Sequence, residues 1–335
     1  MFELVHDLFK QPETFVKKLV LTAIAATTLF GPLSAMAQDN WPSRPVKLLV
    51  GSSPGGGTDS MARMLSEGLG TLWGQSVVVE NRPGASNTLA ADLVARSTDG
   101  YTMLMGVSTA QAIAPHLLKL NYDNEKDLVP VAFTGAVPNV LVVGENSPAK
   151  TLADLLKMLK DNPGKYNFAS SGTGSTQHIA AEIFKEITRV DAAHIPYKGS
   201  SPAMVDLMAG QVQYAFETMS SALPQIKGGK LRALAVASAQ RNPQLPDVPT
   251  LVESGIPMEM SAWYGVYMPA NTPQAVLDKV AADVNKVLAT PSAEKRLENI
   301  GATVTPMSRE AFKAFHDAEN KRFSEIIKKN NITVN

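Results

Sequence analysis

The sequence predicts an α/β protein of two domains, and three observations support this fold class. Short runs of β-branched residues alternate with longer helical segments, an order typical of parallel sheets covered by helices. A chain of 335 residues is long enough to bury two hydrophobic cores. No flexible linker interrupts the alternation, so we expect continuous strands to join the two domains.

The predicted elements follow one another along the whole chain. Strands are predicted over residues 46–50, 76–80, 101–106, 131–133, 140–143, 167–169, 193–196, 213–216, 231–237 and 263–268. Helices are predicted over residues 59–72, 152–160, 177–187, 202–209, 273–288 and 308–329. Ligands of open α/β sheets bind beyond the carboxyl ends of the strands, so the loops from strands to helices are the candidate site.

The N-terminal segment has the pattern of a secretory signal peptide. Lys17 and Lys18 precede an apolar run over residues 19–30, and Ala35-Met36-Ala37 forms a small-x-small cleavage signal. The run is shorter than the ~20 apolar residues that span a bilayer. We therefore expect cleavage after Ala37 and a mature protein in the periplasm, with a retained membrane anchor as the alternative.

The composition excludes several classes of partner and site. The chain carries 31 basic and 31 acidic residues, and this neutral balance argues against nucleic acid or an anionic membrane as a partner. It has no cysteine, which excludes disulfides, thiolate metal sites and a cysteine nucleophile. The histidines show no metal-ligand spacing, so we expect neither a metal ion nor another cofactor.

Three loops rich in glycine and hydroxyl residues, at residues 51–59, 106–111 and 170–178, each follow a predicted strand and open a helix. In the first loop, Gly55, Gly56 and Gly57 lack side chains, so their N–H groups can approach a ligand closely. The start of the next helix adds unpaired N–H groups and the positive end of its dipole, which favour an anion. Ordinary helix capping is the alternative for each loop.

The candidate ligand-binding residues come from these loops and from two later strand ends. They are Ser52, Pro54, Gly55, Gly56, Thr58 and Asp59; Ser108, Thr109 and Gln111; Ser170, Ser175, Thr176 and His178; and Tyr197 and Glu217. For Tyr197 the alternative is a loop anchor, and for Glu217 it is a solvated carboxylate.

Two other functions fit parts of these loops less well. Residues 51–55 match the G-x-S-x-G nucleophile elbow, with Ser53 as nucleophile and His316 downstream. However, Pro54 follows Ser53 and has no N–H to donate to an oxyanion. Residues 172–177 begin like a nucleotide loop, but Gln177 replaces the third glycine and no Gly-Lys-Ser/Thr ending is present.

Several motifs extend over the whole predicted mature chain. They are Trp41-Pro42-Ser43-Arg44-Pro45, Pro54-Gly55-Gly56-Gly57-Thr58-Asp59, Val78-Val79-Glu80-Asn81-Arg82-Pro83-Gly84-Ala85, Asp99-Gly100-Tyr101, Ser170-x-Gly172-x-Gly174-Ser175-x-x-His178, His194-Ile195-Pro196-Tyr197-Lys198-Gly199 and Leu245-Pro246-Asp247-Val248-Pro249-Thr250. In this combination the chain resembles the Bug family, the periplasmic substrate receptors of tripartite tricarboxylate transporters.

The resemblance implies a type II periplasmic-binding-protein-like fold, a Venus flytrap of two α/β domains joined by crossing strands. Domain one would comprise residues 41–140 and 263–335, and domain two residues 141–262. The three loops would hold the carboxylate end of a ligand. Glu217, at a position that is usually aspartate, would contact the other end of the ligand. The expected partners are a small organic carboxylate and the membrane permease subunits, with the receptor itself a monomer.

The chain departs from the family pattern beside the first loop. Members usually carry an aromatic residue at the position of Ser52, so we expect a wider pocket and a ligand larger than a four-carbon dicarboxylate, such as an aromatic carboxylate. Water filling the space is the alternative. As functions of other classes, an exported serine hydrolase that uses Ser53 and a ligand sensor for a signalling partner stay open.

Overall fold

The computed structural model describes residues 41–329 and 332–333, so the predicted signal peptide lies outside the described residues. The strands are β1 (Val46–Val50), β2 (Val77–Asn81), β3 (Thr102–Val107), β4 (Leu128–Gly144), β5 (Asn167–Ser170), β6 (Ala193–Pro196), β7 (Tyr214–Thr218), β8 (Leu231–Val236) and β9 (Ser261–Pro269). The helices are α1 (Gly57–Trp73), α2 (Thr88–Ala95), α3 (Ala114–Leu117), α4 (Leu152–Asp161), α5 (Thr176–Thr188), α6 (Ser200–Met208), α7 (Met219–Lys227), α8 (Gln274–Leu288), α9 (Pro291–Asn299) and α10 (Arg309–Lys329). Every predicted strand and helix overlaps one of these elements.

The strands form one nine-stranded sheet in the order β2-β1-β3-β9-β4-β7-β5-β6, with β8 paired to β4 beside this path. Strand β1 is parallel to β2 and β3, and β5 is parallel to β6 and β7. Strand β9 is antiparallel to β3 and β4, and β4 is antiparallel to β7 and β8. Each part of the sheet therefore contains the parallel pairs that the sequence predicts, and the antiparallel strands β4 and β9 lie between them.

Strand β4 runs through both parts of the sheet. Residues 128–138 pair with β9, whereas residues 139–144 pair with β7 and β8. The predicted strands 131–133 and 140–143 are two pieces of this one strand, which is irregular near Pro130 and Gly135. Gly135 has a φ of 135°, a conformation that residues with a side chain rarely adopt. A glycine inside a strand pattern predicts an interruption of the strand, which is why the sequence predicts two strands here. One continuous strand, β4, therefore connects the two parts of the sheet.

Helix α1 shows how the sequence places the site. Its apolar residues Met61, Leu65 and Leu69 recur at helical spacing and are buried on one face. The helix ends at Gly74, which adopts the left-handed conformation with φ of 63°. Its first residue, Gly57, comes a few residues after the end of β1, so the start of the helix lies at the carboxyl edge of the sheet. In the part of the chain that the structure describes, no helix is both long and apolar enough for a membrane span.

Candidate functional site

A small cavity lies where the loops that follow β1, β3, β5 and β7 meet. Its volume is about 30 Å³. The lining consists of uncharged residues, namely Ser52, Gly56, Gly57, Thr58, Asn87, Val107, Thr109, Ser171, Thr176, Gln177, Gly199, Ser200, Thr218, Ala262 and Tyr264. The carboxyl edge of a parallel sheet is where α/β proteins bind ligands, and this cavity occupies that edge in both parts of the sheet.

The cavity has two walls, one from each part of the sheet. We call residues 51–58, 85–88 and 107–109 the first wall, and residues 171–177, 198–201 and 217–221 the second wall. Hydrogen bonds join the walls directly, from Ser53 Oγ to the Lys198 carbonyl, from Ser86 Oγ to the Thr173 carbonyl, from Ser201 Oγ to the Pro54 carbonyl and from the Gly57 N–H to Ser221 Oγ. The structure is therefore closed across the cleft.

The buried carboxylate of Asp59 holds the first loop. Its Oδ2 accepts hydrogen bonds from the Gly55 N–H and Arg63 Nε, each at 2.9 Å, and its Oδ1 accepts one from Asn81 Nδ2 at 2.9 Å. Asn81 Nδ2 also donates to the Ser52 carbonyl at 2.9 Å. Burial alone would raise the pKa of Asp59, but these hydrogen bonds lower it overall. Asp59 thus shapes the loop, and its carboxylate is engaged away from the cavity.

The glycine N–H groups differ from the expectation of an open anion cradle. The Gly55 N–H donates to the Asp59 carboxylate. The Gly56 N–H donates to the Ser53 carbonyl at 3.4 Å, and the Gly57 N–H donates to Ser221 Oγ at 3.0 Å. In the closed structure the protein itself occupies these donors. Thr58, in the first turn of α1, lines the cavity, and its N–H has no partner among the described residues.

The second wall is organised around Glu217, which is fully buried behind the cavity. Its Oε1 accepts hydrogen bonds from Gln177 Nε2 at 2.9 Å, from Ser200 Oγ at 2.7 Å and from the Thr218 N–H at 2.8 Å. All three donors belong to residues that line the cavity. Burial raises the pKa of Glu217, and the hydrogen bonds only partly offset this effect.

A stacked pair of histidines supports the loop between β5 and α5. The rings of His178 and His194 lie 3.9 Å apart between centroids and are nearly parallel. His178 Nδ1 accepts from the Gly174 N–H at 3.1 Å, and His194 Nε2 lies 2.6 Å from Ser170 Oγ. Burial lowers the pKa of His178 to about 3 and that of His194 to about 4, so both rings are neutral at physiological pH. Ser175 caps α5 by accepting from the His178 N–H at 3.2 Å.

The structure brings only part of the predicted site to the cavity. Of the predicted residues, those in the lining are Ser52, Gly56, Thr58, Thr109 and Thr176. The others are not among the lining residues, namely Pro54, Gly55, Asp59, Ser108, Gln111, Ser170, Ser175, His178, Tyr197 and Glu217. Tyr197, for example, donates its hydroxyl to Asp206 Oδ2 at 2.6 Å. Their part in ligand binding stays a prediction.

Sequence reasoning missed several lining residues. Ser200 and Thr218 stand at helix starts that follow a strand or turn, the signal that identified the first three loops. Asn87 lies in a turn after Pro83-Gly84, a weaker signal. Tyr264 is 1% exposed on β9, and its sequence context is that of an ordinary core strand. Only the folded chain brings it to the cavity.

Three comparisons identify the relatives of this chain. The family model for the tripartite tricarboxylate transporter family receptor matches residues 61–332. The chain belongs to that family. BugT of Bordetella pertussis is 36% identical over 309 residues, which are 91% of this chain and 94% of BugT.

Solved structures agree with this assignment. A protein of R. palustris, in a structure with adipate, has 33% identity and a TM-score of 0.84, covering 88% of this receptor and 99% of that chain. MatC from Rhodopseudomonas palustris, with bound malate, has 31% identity and a TM-score of 0.81, covering 86% of this receptor and 100% of MatC. The receptor thus has the type II periplasmic-binding-protein-like fold that the resemblance implies, and the resemblance to the Bug family is confirmed.

The hydrolase alternative finds no support in the geometry of the receptor. Ser53 Oγ donates to the Lys198 carbonyl, and His316 Nδ1 lies 3.1 Å from the Tyr267 hydroxyl in a buried cluster. Neither group bonds the other, so Ser53 has no general base from His316. Among the described residues, no three His, Asp or Glu side chains lie close enough together to hold a metal ion.

Proposed function

We propose that the receptor captures a small organic carboxylate between its two walls and delivers it to a membrane permease. The observation that supports this most is the lining of the cavity, which contains hydroxyl, amide and backbone donors but no charged side chain among its residues. Such a site binds an anion without the specificity of an ion pair. Without an ion pair to break, the ligand can be released again to the permease.

Helix starts supply the electrostatic attraction for this anion. Thr58, Thr176 and Ser200 lie in the first turns of α1, α5 and α6, and all three line the cavity. Each helix start adds unpaired N–H groups and a partial positive charge. A carboxylate between them gains charge-assisted hydrogen bonds, with a net contribution of ~1.5–3 kcal/mol each.

Binding requires the walls to separate first. The cavity of about 30 Å³ accommodates a few water molecules at most, whereas small-molecule sites measure ~300–1,000 Å³. The four hydrogen bonds between the walls must therefore exchange for contacts with the ligand. A hinge at the crossing strand β4 would allow this, with the domain boundaries near residues 140 and 262 as predicted from the sequence.

The relatives support the ligand class and the transport role. The two R. palustris structures hold adipate and malate, both dicarboxylates, at about one-third identity to this receptor. The family is described as receptors of tripartite tricarboxylate transporters, which supports a membrane permease as partner. We extend both properties to this receptor, together with secretion into the periplasm through cleavage after Ala37 and with binding rather than catalysis as its activity.

A ligand screen followed by calorimetry tests the proposal. The mature protein would be heated with adipate, malate, citrate and benzoate, with glucose and putrescine as uncharged and cationic controls that lack a carboxylate. A ligand at ~100 times its dissociation constant adds ~2.7 kcal/mol to the free energy of unfolding, which raises the melting temperature by several degrees. Stabilisation by at least one acid and by neither control is expected. Stabilisation by none of the acids would contradict the proposal. The transport role is tested separately by measuring uptake of the ligand in a strain that lacks the receptor, where uptake should be lost.

A further inference from the structure

We propose that Asn87 is a specificity-determining residue of the cavity, and that its side-chain amide donates a hydrogen bond to the carboxylate of the ligand. This inference rests on the proposed function. Asn87 lines the cavity from the first wall, and among the described residues its amide has no hydrogen-bond partner. An amide offers two N–H donors, so one at least is available to an anion.

The backbone at this position is unusual. Ala85, Ser86 and Asn87 have φ values of 45°, 54° and 70°, and in the described part of the chain the other non-glycine residue with a positive φ is Arg189. Each L-residue in this left-handed conformation costs about 1–2 kcal/mol, although asparagine tolerates it best after glycine. Three in succession persist only where surrounding contacts determine them, and such strain is concentrated at ligand sites.

Contacts from both sides fix this turn. The backbone of Asn87 lies against Gly51, where an added Cβ would come within 2.5 Å of the Asn87 carbonyl oxygen. Thr88 Oγ1 donates to the Ala85 carbonyl at 2.7 Å from the helix that follows. Ser86 Oγ donates across the cleft to the Thr173 carbonyl. The chain therefore holds the Asn87 side chain at the cavity in a left-handed backbone conformation that glycine and asparagine adopt at the lowest cost.

The other amide of the lining is not equivalent. Gln177 donates its Nε2 to Glu217 at 2.9 Å and lies within 3.4 Å of Ser200 Oγ. Its donors are thus directed at the protein. Asn87 is the lining amide whose donors remain for a ligand, and a carboxylate is the group that accepts two such N–H bonds without offering a proton in return.

Substitutions at position 87 can separate the amide from the backbone. Asn87→Gly preserves the left-handed conformation and deletes the side chain. Asn87→Asp preserves both the conformation and the shape, but it replaces the donor by a negative charge. Arg189→Gly is the matched control, because it relieves a positive φ of 58° at an exposed position at the end of α5.

The experiment measures dissociation constants by calorimetry for the acid, among adipate, malate, citrate and benzoate, that stabilises the wild-type protein most. Loss of one charge-assisted hydrogen bond should weaken binding roughly 10-fold in Asn87→Gly, and like-charge repulsion should weaken it at least roughly 100-fold in Asn87→Asp. Arg189→Gly should bind as the wild type does. The monoamide of the same acid should lose less affinity in Asn87→Asp than the acid itself, a difference that a purely structural role would not produce.

Three outcomes distinguish the role of Asn87 from the proposed function of the receptor. Weaker binding in both Asn87 variants with the charge dependence just described supports the inference. Wild-type affinity in Asn87→Gly and Asn87→Asp overturns the inference and leaves the proposed function intact. Failure of the wild-type protein to bind any of the acids overturns both.

Discussion

The two walls of the cavity differ in how their polar groups are used. In the second wall, Gln177, Ser200 and Thr218 already donate to the buried carboxylate of Glu217. In the first wall, Ser52 Oγ is buried without a partner, and the Asn87 amide is likewise uncommitted among the described residues. A buried hydroxyl normally finds a partner, so the Ser52 hydroxyl indicates a ligand that completes it, and the half-buried Asn87 amide is available to the same ligand.

This difference assigns separate tasks to the walls. A wall whose donors are fixed by an internal carboxylate is preorganised and presents the same surface with or without ligand. A wall with free donors gains most when an anion arrives. We therefore expect substitutions in the first wall to change affinity and substitutions in the second wall to change stability. Closure requires both walls, so the contact between them should be the most sensitive of all.

Among the substitutions that compare the two walls, the largest effect on binding is expected at Gly57, where the walls touch. A Cβ here would lie 2.2 Å from Ser220 Oγ and 2.8 Å from the Tyr264 hydroxyl, too close for either to remain in place. Gly57→Ala should prevent full closure and weaken binding by up to roughly 100-fold, the equivalent of ~1–3 kcal/mol of overpacking. Calorimetry measures the affinity, and small-angle scattering measures the radius of gyration with ligand.

Gly70→Ala on the same helix is the control, because its added Cβ would meet no atom closer than 3.5 Å. It should bind normally and be slightly more stable, since alanine favours a helix interior. Normal affinity in Gly57→Ala would show that the closed contact at α1 is not needed for binding.

An effect of similar size, on stability rather than on binding, is expected at Glu217. Glu217→Ala leaves the donors of Gln177, Ser200 and Thr218 without an acceptor and should lower the free energy of unfolding by about 3 kcal/mol. Glu217→Gln keeps an acceptor oxygen and should lose much less. Urea unfolding of the three proteins measures the difference. Equal stability of the alanine and glutamine variants would mean that the network does not organise the second wall.

The same variants give a pH test with a defined sign. Because burial raises the pKa of Glu217, the folded protein retains this proton at pH values where the unfolded chain has lost it. Its contribution to stability is complete below the ordinary value of 4.5 and decreases as the pH rises through the folded pKa. Glu217→Gln should remove this decrease. A wild-type slope that is unchanged in the variant would contradict the raised pKa.

The smallest effects are expected when one hydroxyl is removed from each wall. Thr109 lines the cavity, so Thr109→Val should weaken carboxylate binding roughly 10-fold and leave stability nearly unchanged. Ser175 caps α5, so Ser175→Ala should cost about 1 kcal/mol of stability and affect binding less. Calorimetry and urea unfolding on both variants give the two quantities. If Thr109→Val changed mainly stability and Ser175→Ala changed mainly affinity, the proposed roles of the two walls would be contradicted.

Much of this architecture could be predicted from the sequence, because it depends on local signals. Strand and helix order follows from periodicity, and the helix cap at Ser175 follows from its hydroxyl before a helical run. The position of Glu217 at the end of a strand is also correct. The sequence could not show that its partners would be Gln177 and Ser200, since both come from other parts of the chain.

The parts that could not be predicted depend on long-range packing. Whether the N–H of Gly57 is free or bound to Ser221 depends on the closure of the cleft. The role of Asn87 depends on the close approach of its turn to Gly51, which an isolated loop sequence does not encode. The antiparallel course of β4 and β9 likewise depends on how the chain passes between the two parts of the sheet.

The most direct test of this account is a crystal structure of the mature receptor with the tightest-binding of the four acids. We expect a carboxylate between the walls, with its oxygens ~2.7–3.0 Å from donors of Thr58, Asn87 or Thr109. The hydrogen bonds of Glu217 to Gln177 and Ser200 should be unchanged. A carboxylate bound outside the cavity, or one held only by second-wall donors that have left Glu217, would contradict it.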